Sequence, residues 1–242
     1  LKAFWVAYLI SSAAFGIYMV AFNWLTVKTY GALGISMITI SFAIPQTLLV
    51  LIGGITSDSI NKQTLYRICQ ALYIACCVPL FLVCIDGAPS LWFLTTISLV
   101  TGAIAAFSGP NKISLISDLV DESQVTSTQQ VFNFATGLGM VVGSVLASYL
   151  LSAEYVHIDN AYGALPFLAY IFGMIPLLFF IPNPAQIKIV KSHFSSSSLK
   201  INEAILNIKQ ALTYIASQGN IRVLMRILFL ILVLGTHFSY LL

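Results

Sequence analysis

The stretch GGITSDSINKQTLYR, residues 53–67, interrupts two long apolar runs, Leu33 to Ile52 and Leu65 to Ile85. Each run is long enough for a membrane-crossing helix, since a hydrocarbon core of about 30 Å takes about 20 helical residues. The interruption is therefore predicted to be a short, Gly-led, charged hairpin at a membrane surface. Within it Gly54, Asp58 and Lys62 recur at every fourth position, with Arg67 beyond. Glycine lets two helix backbones approach closely, and an acid followed one turn later by a base makes a compact hydrogen-bonding hub. Taken alone, the stretch reads equally well as an ordinary loop with one acid and two bases.

Composition narrows the class. Of 242 residues, 59% are hydrophobic and 8% charged, against roughly 45–50% and about 25% in soluble domains. A soluble globular protein is excluded. The net charge of +3 is the remainder of 11 bases and 8 acids and argues for neither nucleic acid nor an acidic substrate. Cys69, Cys76, Cys77 and Cys84 all fall in one apolar segment, where a single helix cannot offer four thiolates tetrahedrally to a metal. They read as buried thiols.

Working outward, six stretches are long and apolar enough to cross a membrane: 4–27, 33–55, 65–86, 91–110, 126–151 and 161–181, with a seventh starting near 221. The runs are continuous rather than alternating, so helices are expected and not strands. Lys and Arg set the orientation. With a cytoplasmic N-terminus, that side holds Lys2, Lys62, Arg67, Lys112, Lys188, Lys191, Lys200, Lys209, Arg222 and Arg226, and the outer side holds Lys28 alone. Trp5, Trp24 and Trp92 fall at predicted span ends, where interfacial tryptophans collect.

The polar residues inside the spans are the candidate pathway. In the first span Tyr8, Ser11 and Tyr18 share a face with Phe15 and Phe22, which suits either a solute pathway or helix packing. In the second, Gln46 follows Pro45, and its amide either binds solute or satisfies the carbonyl that the proline frees. The fifth span is the most polar, with Gln129, Asn133, Thr136, Met140 and Ser144 on one face. Amides are costly in hydrocarbon, so this face is expected to point into a bundle or a wet cavity. Gly139 and Gly143 on the adjoining face allow close helix packing. No Asp, Glu, Lys or Arg lies in the middle of spans one to six. His237, in the seventh, is the one titratable side chain clearly inside a span, as a proton carrier or as a neutral structural group. Glu154, His157 and Asp159 read as a solvated outer loop. Ile201, Ile205, Ile208, Leu212 and Ile215 repeat every three to four residues after a serine tract, the pattern of an amphipathic helix on the membrane surface.

The loop at 53–67 resembles the motif between helices 2 and 3 of the major facilitator superfamily, Gly-x-x-x-Asp-Arg-x-Gly-Arg-Lys. Gly54, Asp58 and Lys62 stand on its glycine, aspartate and second basic positions, while Ser59, Asn61 and Gln63 replace Arg, Gly and the last base. Pro110 with Asp118-Leu119-Val120, and the segment Tyr214 to Met225, resemble the macrolide-exporter, enterobactin-exporter and lysophospholipid-transporter group of that superfamily. Gly139 stands where its exporters often have Gly-Pro-x-x-Gly-Gly, with Met140 and Ser144 replacing Pro and Gly.

The resemblance implies an all-α membrane protein, a six-helix bundle forming half of a 12-helix transporter plus the start of helix 7. The expected division is a bundle over 1–182, a cytoplasmic linker over 183–220 and the seventh span over 221–242. The chain opens Leu-Lys without Met and stops early in the second half, so a fragment is expected. In the family this loop latches the cytoplasmic gate, and here Lys62 is expected to pair with Asp118 on the same side. The activity implied is ion-gradient-driven export of a small organic molecule by alternating access, from a cytoplasmic or inner membrane. Movement of a lysophospholipid or other amphipathic lipid is the first alternative, and a non-transporting scaffold or degenerate half-transporter the second. The partners implied are the bilayer, a small-molecule substrate, a coupling proton or sodium ion and the C-terminal half of the same transporter. No nucleic acid, cofactor or metal is expected. An enzyme is not expected either, because no nucleophile, base and orienting acid stand at usable spacing on one side of the membrane.

Overall fold

The computed structural model describes residues 2–118, 120, 122–152, 164–181 and 223. The architecture below belongs to the first of two compact units, 1–191; of the second, 192–242, Val223 alone is described. The surface helix expected after residue 200, the seventh span with His237 and the loop carrying Glu154, His157 and Asp159 fall outside the described residues.

The described residues form five α-helices and no strand: α1 (Lys2–Ser59), α2 (Lys62–Asp86), α3 (Leu91–Asp118), α4 (Val125–Ser152) and α5 (Leu165–Phe179), with one 3-10 turn at Glu122–Gln124. The expected count of six is corrected, because the first two predicted spans run on as the single element α1. Its one break is Gly31, at φ 64° and ψ −156°, a conformation that side-chain-bearing residues avoid. The chain bends back there within a single residue. Gly34 comes against Thr26, and Ile38 joins Leu25 and Phe22 in one buried cluster.

Four helices, α1 to α4, are long and apolar enough to cross a membrane. With 58 residues, α1 carries about 87 Å of helix, nearly three times a hydrocarbon core. α5 has 15 helical residues, about 22 Å, and is shorter than its apolar run suggested.

The first arm of α1 is the spine of the unit. Near one end Phe4, Ala7 and Tyr8 pack with Tyr66 of α2, Leu115 and Ile116 of α3, Phe132 of α4 and Leu177 of α5. Towards the kink, Tyr18, Phe22 and Leu25 pack with Cys77 and Leu80 of α2, Leu94 of α3 and Tyr170 of α5. Cys69, Cys77 and Cys84 are buried, Cys76 is half-buried, and all four are free thiols. The second arm runs alongside α3 in the same direction, with Phe42 against Gly102, Gly53 against Ala106 and Ser57 against Asn111.

Hydroxyls inside these helices return their protons to the carbonyl one turn back, as Ser12 does to Tyr8, Thr26 to Phe22 and Thr136 to Phe132. Each of these three hydroxyl protons thus has an acceptor where water is absent.

Of the two adjacent glycines at the end of α1, Gly53 meets the Ala106 and Phe107 backbone of α3, whereas a Cβ at Gly54 would meet nothing within 4 Å. The close helix approach expected of Gly54 is therefore made by Gly53. Gly53→Ala is expected to cost about 1–3 kcal/mol through overpacking, read as a lowered unfolding temperature in detergent. Gly54→Ala should stay within about 0.5 kcal/mol of the parent.

Candidate functional site

The charged hairpin of the sequence reading is almost entirely helical. α1 continues to Ser59, α2 begins at Lys62, and two residues, Ile60 and Asn61, make the break. Asn61 suits that place because its carboxamide oxygen accepts from the Gln63 and Thr64 amides, at 3.1 and 3.4 Å, capping α2. α3 likewise runs past its predicted end at 110 to Asp118, carrying Pro110 inside it. The proline removes one amide donor, and packing in the bundle keeps the helix continuous. This extension puts Asn111, Lys112 and Asp118 on one helix.

Two of those residues fasten α3 to the break between α1 and α2. Lys62 Nζ lies 2.7 Å from Asp118 Oδ2. Seven residues earlier, Asn111 is wholly buried; its Nδ2 donates to the Lys62 carbonyl at 2.9 Å and its Oδ1 accepts from Ser57 Oγ at 3.2 Å. Seven residues are about two helical turns, so both fastenings lie on one side of α3. They differ in strength. The Asp118 side chain is 56% exposed and Lys62 23%, where an ion pair is worth about 0–1 kcal/mol. Unpairing a buried polar group costs about 1–3 kcal/mol, so the Asn111 amide is the stronger clasp.

Of the motif residues, the structure thus brings Lys62 and Asp118 together and leaves Gly54 in open space, while the Asp58 side chain falls outside the described part. Sequence reasoning missed Ser57, Asn61 and Asn111. The signal available was Asn111 itself, a carboxamide next to Pro110 within an apolar run, which has to find partners inside the protein.

The candidate pathway residues divide. Tyr8, Ser11 and Tyr18 are buried in helix contacts. The Tyr8 hydroxyl is 2.7 Å from Thr136 Oγ1. Ser11 Oγ lies 2.8 Å from the Ala7 carbonyl and 2.9 Å from that of Gly173, tying α1 to α5. The Tyr18 ring is 4.7 Å from Tyr170 and 5.5 Å from Phe22. Gln46 and Asn133 are exposed on the described unit, and half-buried Gln129 holds its Nε2 3.5 Å from Ser117 Oγ on α3. Gly139 and Gly143 face the first arm of α1, where they meet Ser12 and Ala13. Among the described residues, no three His, Cys, Asp or Glu side chains cluster so as to hold a metal ion.

Apolar helices of this length, bent and fastened at one end by a half-exposed ion pair, are those of a membrane-embedded protein. Residues 4–242 match the family model of the Major Facilitator Superfamily, and the chain belongs to that superfamily of membrane transporters, whose members are typically not enzymes. A comparison with curated proteins finds no match.

Asn111→Leu removes one donor and one acceptor from the clasp while keeping the branching of the side chain. It is expected to destabilise the unit by about 1–3 kcal/mol, while Asp118→Asn costs no more than about 1 kcal/mol. Dye-monitored thermal unfolding of the two variants side by side checks the order.

Proposed function

We propose that this chain exports a small organic molecule, such as a drug, siderophore or other metabolite, across a cytoplasmic membrane by alternating access driven by an ion gradient. In this reading the two arms of α1 cross the membrane separately and, with α2 to α5, make six crossings with the N-terminus in the cytoplasm. The C-terminal half of the same transporter and a coupling proton or sodium ion complete the machine. The resemblance of the 53–67 and 110–120 segments to the exporter group supports the direction.

The observation that carries the reading is the Lys62–Asp118 pair at 2.7 Å, backed by Asn111. It stiffens the edge of the half-transporter at which the superfamily places its cytoplasmic gate. A weak, half-exposed pair suits a gate, because an edge that must close and open repeatedly gains from interactions that exchange readily with water.

A second reading, movement of a lysophospholipid or other amphipathic lipid, is favoured by the character of the core. Its buried polar residues are uncharged: serines, threonines, Gln63, Gln70 and Asn111. Comparing flipping of a fluorescent lysophospholipid with dye efflux in the same cells separates the two.

The gate is tested by charge reversal. Lys62→Asp and Asp118→Lys should each lower efflux of a transported dye by about tenfold, which corresponds to about 1.4 kcal/mol, and the double swap should recover a substantial part. Efflux that stays low in the double swap overturns the pairing as a gate element.

A further inference from the structure

Lys112 differs from the other described basic side chains. It lies inside α3, six residues or about 9 Å before Asp118 at the helix end. It is half-buried, and its Nζ sits over the Tyr8 ring, 4.8 Å from the centroid. Lys62 has Asp118 for a partner, and Arg67 is exposed. Lys28 makes a similar ring contact, with Trp24 at 4.6 Å, but it is exposed near the kink. Among the described residues Lys112 has no carboxylate within ion-pair distance. A ring face meets one side of an ammonium, and the group has three N–H donors. The cation is thus held in place with part of its hydrogen-bonding capacity unused.

Its support is rigid. The Tyr8 ring is anchored by its hydroxyl on Thr136 and stands edge-on to Phe132, 4.9 Å away, which in turn lies 4.6 Å from Trp5. Neutral polar groups stand on α3 and α4, with Ser117 of α3 touching Gln129 of α4. One turn beyond Gln129 comes exposed Asn133, and round the helix from it α4 presents an apolar face, with Phe134 71% and Val141 and Val145 each 63% exposed. The surface therefore passes from a fixed cation and amides to an apolar strip. That order matches a molecule with an anionic head and an apolar body.

We propose that Lys112, seated on the Tyr8 ring, binds the anionic head group, carboxylate or phosphate ester, of an amphiphile whose apolar part lies along α4. As a statement about the transported substrate it rests on the transport reading above; as a binding site it does not. The amphiphile is either a transported solute or an anionic membrane lipid, and both offer the same head-group chemistry.

The test uses the full protein in phosphatidylcholine nanodiscs and two probes that differ only in charge, dansylated undecanoic acid and its methyl ester. The parent protein should bind the acid at least about tenfold more tightly than the ester. Lys112→Gln should erase that preference and Lys112→Arg should keep it. Equal binding of acid and ester by the parent overturns the proposal without any variant having to fold, as does a preference that survives Lys112→Gln. Repeating the titration with phosphatidylglycerol in the disc tells the sources apart. Binding of the acid lost there assigns the site to a lipid head group, and binding retained assigns it to a solute. Transport is read separately, as movement of the acid into proteoliposomes. A preference for the acid without movement would sink transport of this amphiphile and leave the site, and movement without preference would sink the site alone.

Discussion

Within a hydrocarbon layer every polar group has to find its partner inside the protein, because no water is present to replace it. Most of the packing answers to that constraint. Hydroxyls that would be lone donors in lipid, on Ser12, Thr26 and Thr136, are turned back onto their own helices. Ser11 shares its proton between its own helix and α5, and Tyr8 meets Thr136 across to α4. Once those groups are satisfied, side-chain size decides the rest. Gly139 and Gly143 admit the backbone of α1, and Gly53 admits that of α3, so the helices are held by close contact rather than by hydrophobic exclusion, which lipid does not supply.

The same constraint explains which predicted pathway residues became structural. A tyrosine or serine on a helix face can line a channel or bind a neighbour, and the periodicity of Tyr8, Ser11 and Tyr18 is the same in both cases. The choice depends on whether a partner stands across the interface. Thr136, the Gly173 carbonyl and the Tyr170 ring are those partners, and they come from parts of the chain more than 120 residues away. Gln46 and Asn133 point instead to the outside of the described unit.

Much of the architecture was legible from the sequence, because uninterrupted apolar runs of membrane length leave helices as the one choice. That Lys62 and Asp118 lie at the same end followed from counting spans. What was not legible was local. The first two predicted spans left residues 28–32 unassigned, yet these are helical except at Gly31, which turns the chain alone, and composition does not record where one residue takes a positive φ. Pro110 looked like the end of a helix, yet α3 passes through it and carries Asn111 into the bundle. Gly53 and Gly54 are neighbours in sequence but about 100° apart around a helix, so the spacing could not say which of them touches α3.

The bend at Gly31 has a consequence for α1 itself. Between Trp24 and Leu33 the sequence offers one charged group, Lys28, whose ammonium rests on the Trp24 ring. Two apolar arms joined without a loop form a helical hairpin with almost nothing hydrophilic at its tip. Each arm satisfies its own backbone hydrogen bonds within its helix, so the spine of the unit needs no later helix to complete them.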